Sequence, residues 1–204
     1  MSAPTVFLDG EPVSFDGPLP ESAQQLFGLL AEALEPSGKC LTAFSVDGTD
    51  YTQQPWPERG VPYARVLASS QRQEALMLDL IEQALPKVEA AEEGAQVLGV
   101  DVLSREWAYA QASAKAWGEQ LAPVIELLEV LVKSIDAWGL TIQAALVKQL
   151  EEASQGLDSY MRAMETMDGG RLAEQARFTW QPWCARLRQS LVGPFQQELK
   201  HRLA

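Results

Sequence analysis

A chain of 204 residues is long enough for one substantial domain or two small ones, and with 47% hydrophobic and 22% charged residues it can build a folded core. Its formal charge of −12 argues against a nucleic-acid surface, which needs a positive field. No run approaches the ~18 apolar residues of a membrane span, and the first residues lack the basic start and apolar stretch of a signal peptide. A cytoplasmic protein with neither nucleic-acid nor membrane partner is the expectation.

Thr5–Leu8 reads as a short extended run, Asp9-Gly10 as a type I′ turn, and Val13 and Phe15 resume the alternation, which together predict a β-hairpin. Gly17-Pro-Leu-Pro breaks it. Glu21 or Ser22 then opens an amphipathic helix carrying Leu26, Leu29, Leu30, Ala33 and Leu34, closed by Pro36-Ser-Gly38. Cys40–Val46 alternates as a strand up to a second Asp-Gly turn at Asp47-Gly48, and Tyr51 begins a return strand. Residues 53–60, with Pro55, Trp56 and Pro57, form a loop, and Val61–Ala68 is a last strand. The order hairpin, helix, hairpin, strand resembles the β-grasp or ubiquitin-like fold, over roughly residues 4–68. That resemblance implies a mixed sheet wrapped round one helix and a binding or adaptor role. Ubiquitin-style conjugation is not implied, because the chain runs on into helices without a di-glycine tail. Iron–sulfur ligation, found in some β-grasp domains, needs more than two cysteines.

From Ser69, a good N-cap as is Ser70, the apolar period changes from two to about three and a half. Met77, Ile81, Ala84, Val88, Ala91, Ala95 and Leu98 keep a four–three spacing up to Gly99, a natural stop, with Pro86 expected to kink or split the helix. Leu103, Trp107, Ala110, Ala114, Trp117, Leu121, Val124, Leu128, Leu131, Ile135 and Trp138 continue the same alternation. They predict one long central helix of about 54 Å, bent near Gly118 and Pro123 and closed by Gly139. Ile142 to Met167 marks a third helix. After Asp168-Gly-Gly170 a fourth carries Leu172, Ala176, Trp180, Trp183, Leu187, Leu191, Phe195 and Leu199, with Pro182 and Pro194 bending or interrupting it. Short connections make neighbours antiparallel. The expected fold class is therefore α+β: a β-grasp-like domain at 1–68, then an antiparallel four-helix bundle at 69–204. The Ala84, Ala91 and Ala95 seam suits close helix approach, within one chain or between two.

Catalytic signatures are sparse. His201 is the single histidine and lies near a terminus, so Ser-His-Asp, Cys-His and Glu-x-x-His di-iron arrangements lose their base or ligand. Cys40 and Cys184 lie far apart, without zinc-ligand spacing, and read as buried thiols. Neither GxxxxGK[ST] nor GxGxxG occurs, and Asp168-Gly-Gly-Arg171 is too short to cradle a nucleotide. Glu89, Glu92 and Glu93, then Glu126 and Glu129, then Glu151 and Glu152 leave an all-carboxylate metal site as a minor alternative to solvated helix faces. The charge is uneven. Residues 1–68 hold 9 acids and 3 bases, 69–170 hold 17 and 7, and 171–204 hold 2 and 6, so the last helix is the basic partner of an acidic neighbourhood.

The candidate interface residues are aromatic and basic. Arg177, Trp180 and Trp183 concentrate hot-spot residue types near Phe178, with packing inside the chain as the competing reading. Trp56, framed by prolines, either pins its loop or awaits a partner. No catalytic, cofactor or metal residue is assigned. The functional expectation is a non-enzymatic interaction, assembly or adaptor protein that self-associates. A cytoplasmic export or secretion chaperone for an exported or filament-forming client is the first alternative, and a carboxylate-dependent metalloenzyme the second.

Overall fold

The computed structural model describes residues 4–52, 54–57, 59–104 and 106–203, with Ala137 described by its backbone alone. Gln53 and Glu58 of the expected loop lie outside the described residues. The chain divides into two compact units, Met1–Leu76 and Met77–Ala204.

In the first unit, strands β1 (Thr5–Leu8), β2 (Glu11–Pro12), β3 (Lys39–Val46), β4 (Thr49–Asp50) and β5 (Arg65–Arg72) form a mixed sheet in the order β2-β1-β5-β3-β4. Strands β1 and β5 run parallel, and every other pair is antiparallel. Helix α1 (Ala23–Leu34) is opened by Ser22, whose hydroxyl accepts from the Gln25 N–H. Its residues Ala23, Leu26 and Leu30 join Val6, Phe44, Val46, Val66 and Ala68 in the core. The element order is the one expected, and both Asp-Gly pairs have positive φ at each residue, as a type I′ turn requires.

The last strand differs. The sequence places a helix start at Ser69 or Ser70, but β5 continues to Arg72, pairing Ser69 with Ala43 and Ser70 with Leu41. The Ser70 N–H and hydroxyl both donate to the Asp9 carboxylate at 2.6 Å, so its capping capacity serves the first hairpin turn instead. Ser70's hydroxyl, then its N–H, hold the Asp9 carboxyl below the usual carboxylate range.

The second unit is mostly helical. Helix α2 (Gln73–Ser104) passes straight through Pro86 and Gly99. Gly99 is no stop here, because Ala173, Ala176 and Arg177 pack against it. Helix α3 (Trp107–Ile135) therefore begins later than the sequence suggests. Leu103 ends α2 and is 69% exposed, while Trp138 sits in a 3-10 turn before Gly139, whose φ of 59° closes the segment. The heptad positions from Ala110 to Ile135 are buried without exception. Just ahead of helix α4 (Gln143–Glu165), the Glu198 carboxylate accepts from the Thr141 N–H and hydroxyl and from the Ile142 N–H, anchoring the turn that leads into it. Burial pushes that carboxyl up, but these backbone and hydroxyl donors bring its pKa below the usual range.

The remaining helix is continuous but not uniform. Helices α5 (Gly169–Glu174), α6 (Gln181–Ser190) and α7 (Gln196–Leu203) are joined by π-helical turns at Gln175–Trp180 and Leu191–Phe195. Pro182 and Pro194 interrupt the regular helix as expected, by widening it rather than breaking it. The widening has a second physical reason. The buried stripe Leu172, Ala176, Trp180, Cys184, Leu187, Leu191, Phe195, Leu199 makes seven turns in twenty-seven residues. A regular α-helix needs only about 25 residues for seven turns. Two π turns, each absorbing one residue, keep the stripe on one face.

Among the described residues no helix is long and apolar enough to cross a membrane.

Candidate functional site

The residues singled out as interface candidates fall in different settings. Trp56 belongs to the first unit, where its ring stacks on Tyr51 at 4.8 Å and 5° and meets Phe27 and Phe44 edge-on at 5.9 and 5.8 Å. These rings pin the proline loop to the α1 side of the sheet. Trp180 and Trp183 lie in the core of the second unit, 0% and 1% exposed, packed edge to face at 5.6 Å. Trp183 also donates its indole N–H to the Gln149 carbonyl. Arg177 is on the surface, its guanidinium 5.6 Å from the Phe178 ring centre, and Phe178 is 70% exposed. The π turn thus turns Arg177 and Phe178 outward and Trp180 inward.

Each glutamate run has a member paired with a base. Glu92 pairs with Arg188 at 3.0 Å, Glu152 with Arg186 at 2.7 Å, and Glu129 with Lys133 at 3.7 Å. The basic last stretch does pair with acidic helices of its own unit. Among the described residues no group of three or more His, Cys, Asp or Glu side chains is arranged to hold a metal ion.

Both cysteines are free thiols. Burial, reinforced by Glu92, pushes the Cys184 thiol up to about 12 from its ordinary 9.0, and burial raises Cys40 too. Because the thiolate is the reactive form, Cys184 is expected to resist Ellman's reagent at pH 8 in the native protein and to react fully in denaturant. A raised pKa stabilises the fold fully below the unfolded value, so this contribution is expected to fade as pH rises from 9 towards 12. Thiol titration with and without urea checks the first expectation.

Two concave features of the second unit were not visible in the sequence. One is an apolar groove between α3 and α4, where Ala108, Ala112 and Gly118 lie opposite Met161 and Met164, with Lys115 beside them. Met161 is 55% exposed. The signal was the set of small residues on the side of α3 away from its buried seam, which heptad reading discards as surface. The Ala84, Ala91 and Ala95 seam, by contrast, is fully inside. The other feature is a cavity of about 320 Å3 between α4 and the first π turn, lined by Glu152, Gln155, Ser159, Gln175, Phe178 and Arg186 among others. Trp180 forms part of its wall.

Comparison of the chain with known protein families, with curated proteins and with solved structures found no match.

Proposed function

We propose that this chain is a non-enzymatic assembly protein that binds a second copy of itself through the α3/α4 groove. In this reading α2, α3, α4 and the Gly169–Leu203 stretch act as an antiparallel four-helix bundle, and the sheet with α1 as a separate β-grasp-like module. The observation that carries the proposal is the methionine-edged groove. It follows α3 from Ala108 to Gly118, about 15 Å at 1.5 Å per residue, which is the length of three helical turns. Methionines adapt to varied apolar partners, and small residues let a helix backbone approach closely.

The same chain carries a matching insert. Val97, Val100 and Leu103 make an apolar stripe along α2 and are 59%, 65% and 69% exposed. Acidic Glu93 precedes that stripe in sequence and Asp101 falls within it, and Lys115 lines the groove, so the charges are complementary. Groove and stripe are different surfaces, so such a contact is heterologous and builds a ring or a filament rather than an isologous dimer. Light scattering across a concentration series is expected to give a mass above the 22.4 kDa of one chain. Met161→Lys and Val100→Asp are each expected to return the monomer without lowering the melting temperature. A wild-type monomer at every concentration overturns self-assembly, and would leave the groove to a foreign helix, as an export chaperone requires.

A further inference from the structure

Three of the five methionines, Met161, Met164 and Met167, fall within seven residues at the end of α4 and just beyond it. Met161 and Met164 are one helical turn apart, and both line the α3/α4 groove. Met161 is 55% exposed and Met164 is half-buried. Met167 is 68% exposed but lies past the helix end, outside the groove lining. Met77, by contrast, is buried in the core of the second unit. The thiols are less available than these thioethers. Cys184 is fully buried, and burial raises both thiols above their ordinary pKa, which leaves little of the reactive thiolate. An oxidant arriving from water therefore meets sulfur at the groove and at Met167.

The chemistry is a two-electron oxygen transfer from a hydroperoxide. A lone pair on the thioether sulfur attacks one peroxide oxygen, an S–O bond forms and the O–O bond breaks. The other oxygen takes up the proton and leaves as water, so sulfur is oxidised as the peroxide is reduced. Two thiols of a methionine sulfoxide reductase reverse the step, giving the thioether, water and a disulfide. The sulfoxide is polar where the thioether was apolar. In an open groove water satisfies its oxygen. Under a docked apolar helix water is gone, and the Tyr160 hydroxyl of the groove is already given to the Ala114 carbonyl. Gln111 and Lys115 also line the groove, but they serve the sulfoxide equally in the open state, so neither favours docking.

We infer that Met161 and Met164 are a peroxide-sensitive modification site that releases the self-association contact, an inference that rests on the assembly reading of the α3/α4 groove. Oxidation alters the groove and leaves the Val97, Val100 and Leu103 stripe intact. Because the contact is heterologous, an oxidised chain still inserts its stripe into an unmodified neighbour and ends the assembly there. Partial oxidation shortens assemblies, and complete oxidation gives single chains.

The test treats the full chain with hydrogen peroxide for graded times and separates the species by size. Light scattering gives the mass of each fraction, and peptide mass spectrometry maps its sulfoxides. The expected result is a mass falling to the 22.4 kDa of one chain, with Met77 still a thioether because the core stays closed. In partly oxidised samples, sulfoxide at Met161 and Met164 is expected to be enriched about fivefold or more in the lightest fraction over the heaviest, since a modified groove occupies only the end of an assembly. Sulfoxide at Met167 is expected to be even across fractions, and Met167→Leu to respond to peroxide as the wild type does. Methionine sulfoxide reductases of both stereospecificities are expected to restore the mass. Assemblies that keep their mass with Met161 and Met164 oxidised overturn this inference alone. So does a groove pair that stays reduced while Met167 is oxidised, or a loss of mass that follows Met167 or Met77 instead. An untreated chain that is a monomer at every concentration overturns the assembly reading itself, and this inference with it.

Discussion

Replacing Trp117 by alanine is expected to destabilise the second unit by about 3–5 kcal/mol, the range for emptying a buried tryptophan site. Trp117 is 3% exposed, and its indole N–H donates to the Ala91 carbonyl at 2.9 Å. Its ring meets Tyr160 at 5.3 Å and Trp180 at 5.5 Å, so one side chain joins α2, α3, α4 and the first π turn. Tyr160 in turn donates to the Ala114 carbonyl at 2.7 Å, fixing α4 on α3. Trp117→Phe keeps most of the packing and loses the hydrogen bond, so a cost of about 1–2 kcal/mol is expected. Urea unfolding followed by far-UV circular dichroism separates the two. Equal midpoints for Trp117→Ala and wild type would show that the ring is not the junction described.

The second large effect concerns a glycine. Gly156 lies within α4, where alanine should gain about 1 kcal/mol from helix propensity alone. Here the gain is reversed, because a Cβ would approach three Trp180 ring atoms at 2.9–3.3 Å and the ring, 0% exposed, cannot yield freely. Gly156→Val is expected to cost about 3 kcal/mol or more through overpacking. Gly118→Ala in α3 is the control, since nothing lies within 4 Å of its added Cβ, and it should stabilise by up to about 1 kcal/mol. Thermal melts of the pair are expected to move in opposite directions. A Gly156→Val protein that melts with the wild type would mean that α4 and Trp180 do not meet as closely as described.

The periodic parts of this protein were legible because periodicity is a local property. The four–three steps from Met77 to Leu98 and from Ala110 to Ile135 name the buried residues of α2 and α3 correctly. Two Asp-Gly pairs likewise fix two hairpin turns, since positive φ at successive residues is tolerated by few sequences. Boundaries were less legible. Ser69 and Ser70 look like caps, and Gly99 looks like a stop, until a sheet partner and a packed helix give each another task. Trp180 and Trp183 look like interface residues because the sequence cannot say which way a widened turn will point them.

By itself, then, the order of residues determined which stretches are strands and which are helices, where the hairpins reverse, and which stripe of each long helix turns away from water. The tertiary structure alone decided what those elements leave between them: the groove along Ala108–Gly118 and the cavity beside Gly156. The physical reason is range. Hydrophobic period and turn chemistry act over a few neighbouring residues, whereas a concave surface arises only where side chains distant in sequence meet and fail to fill the space.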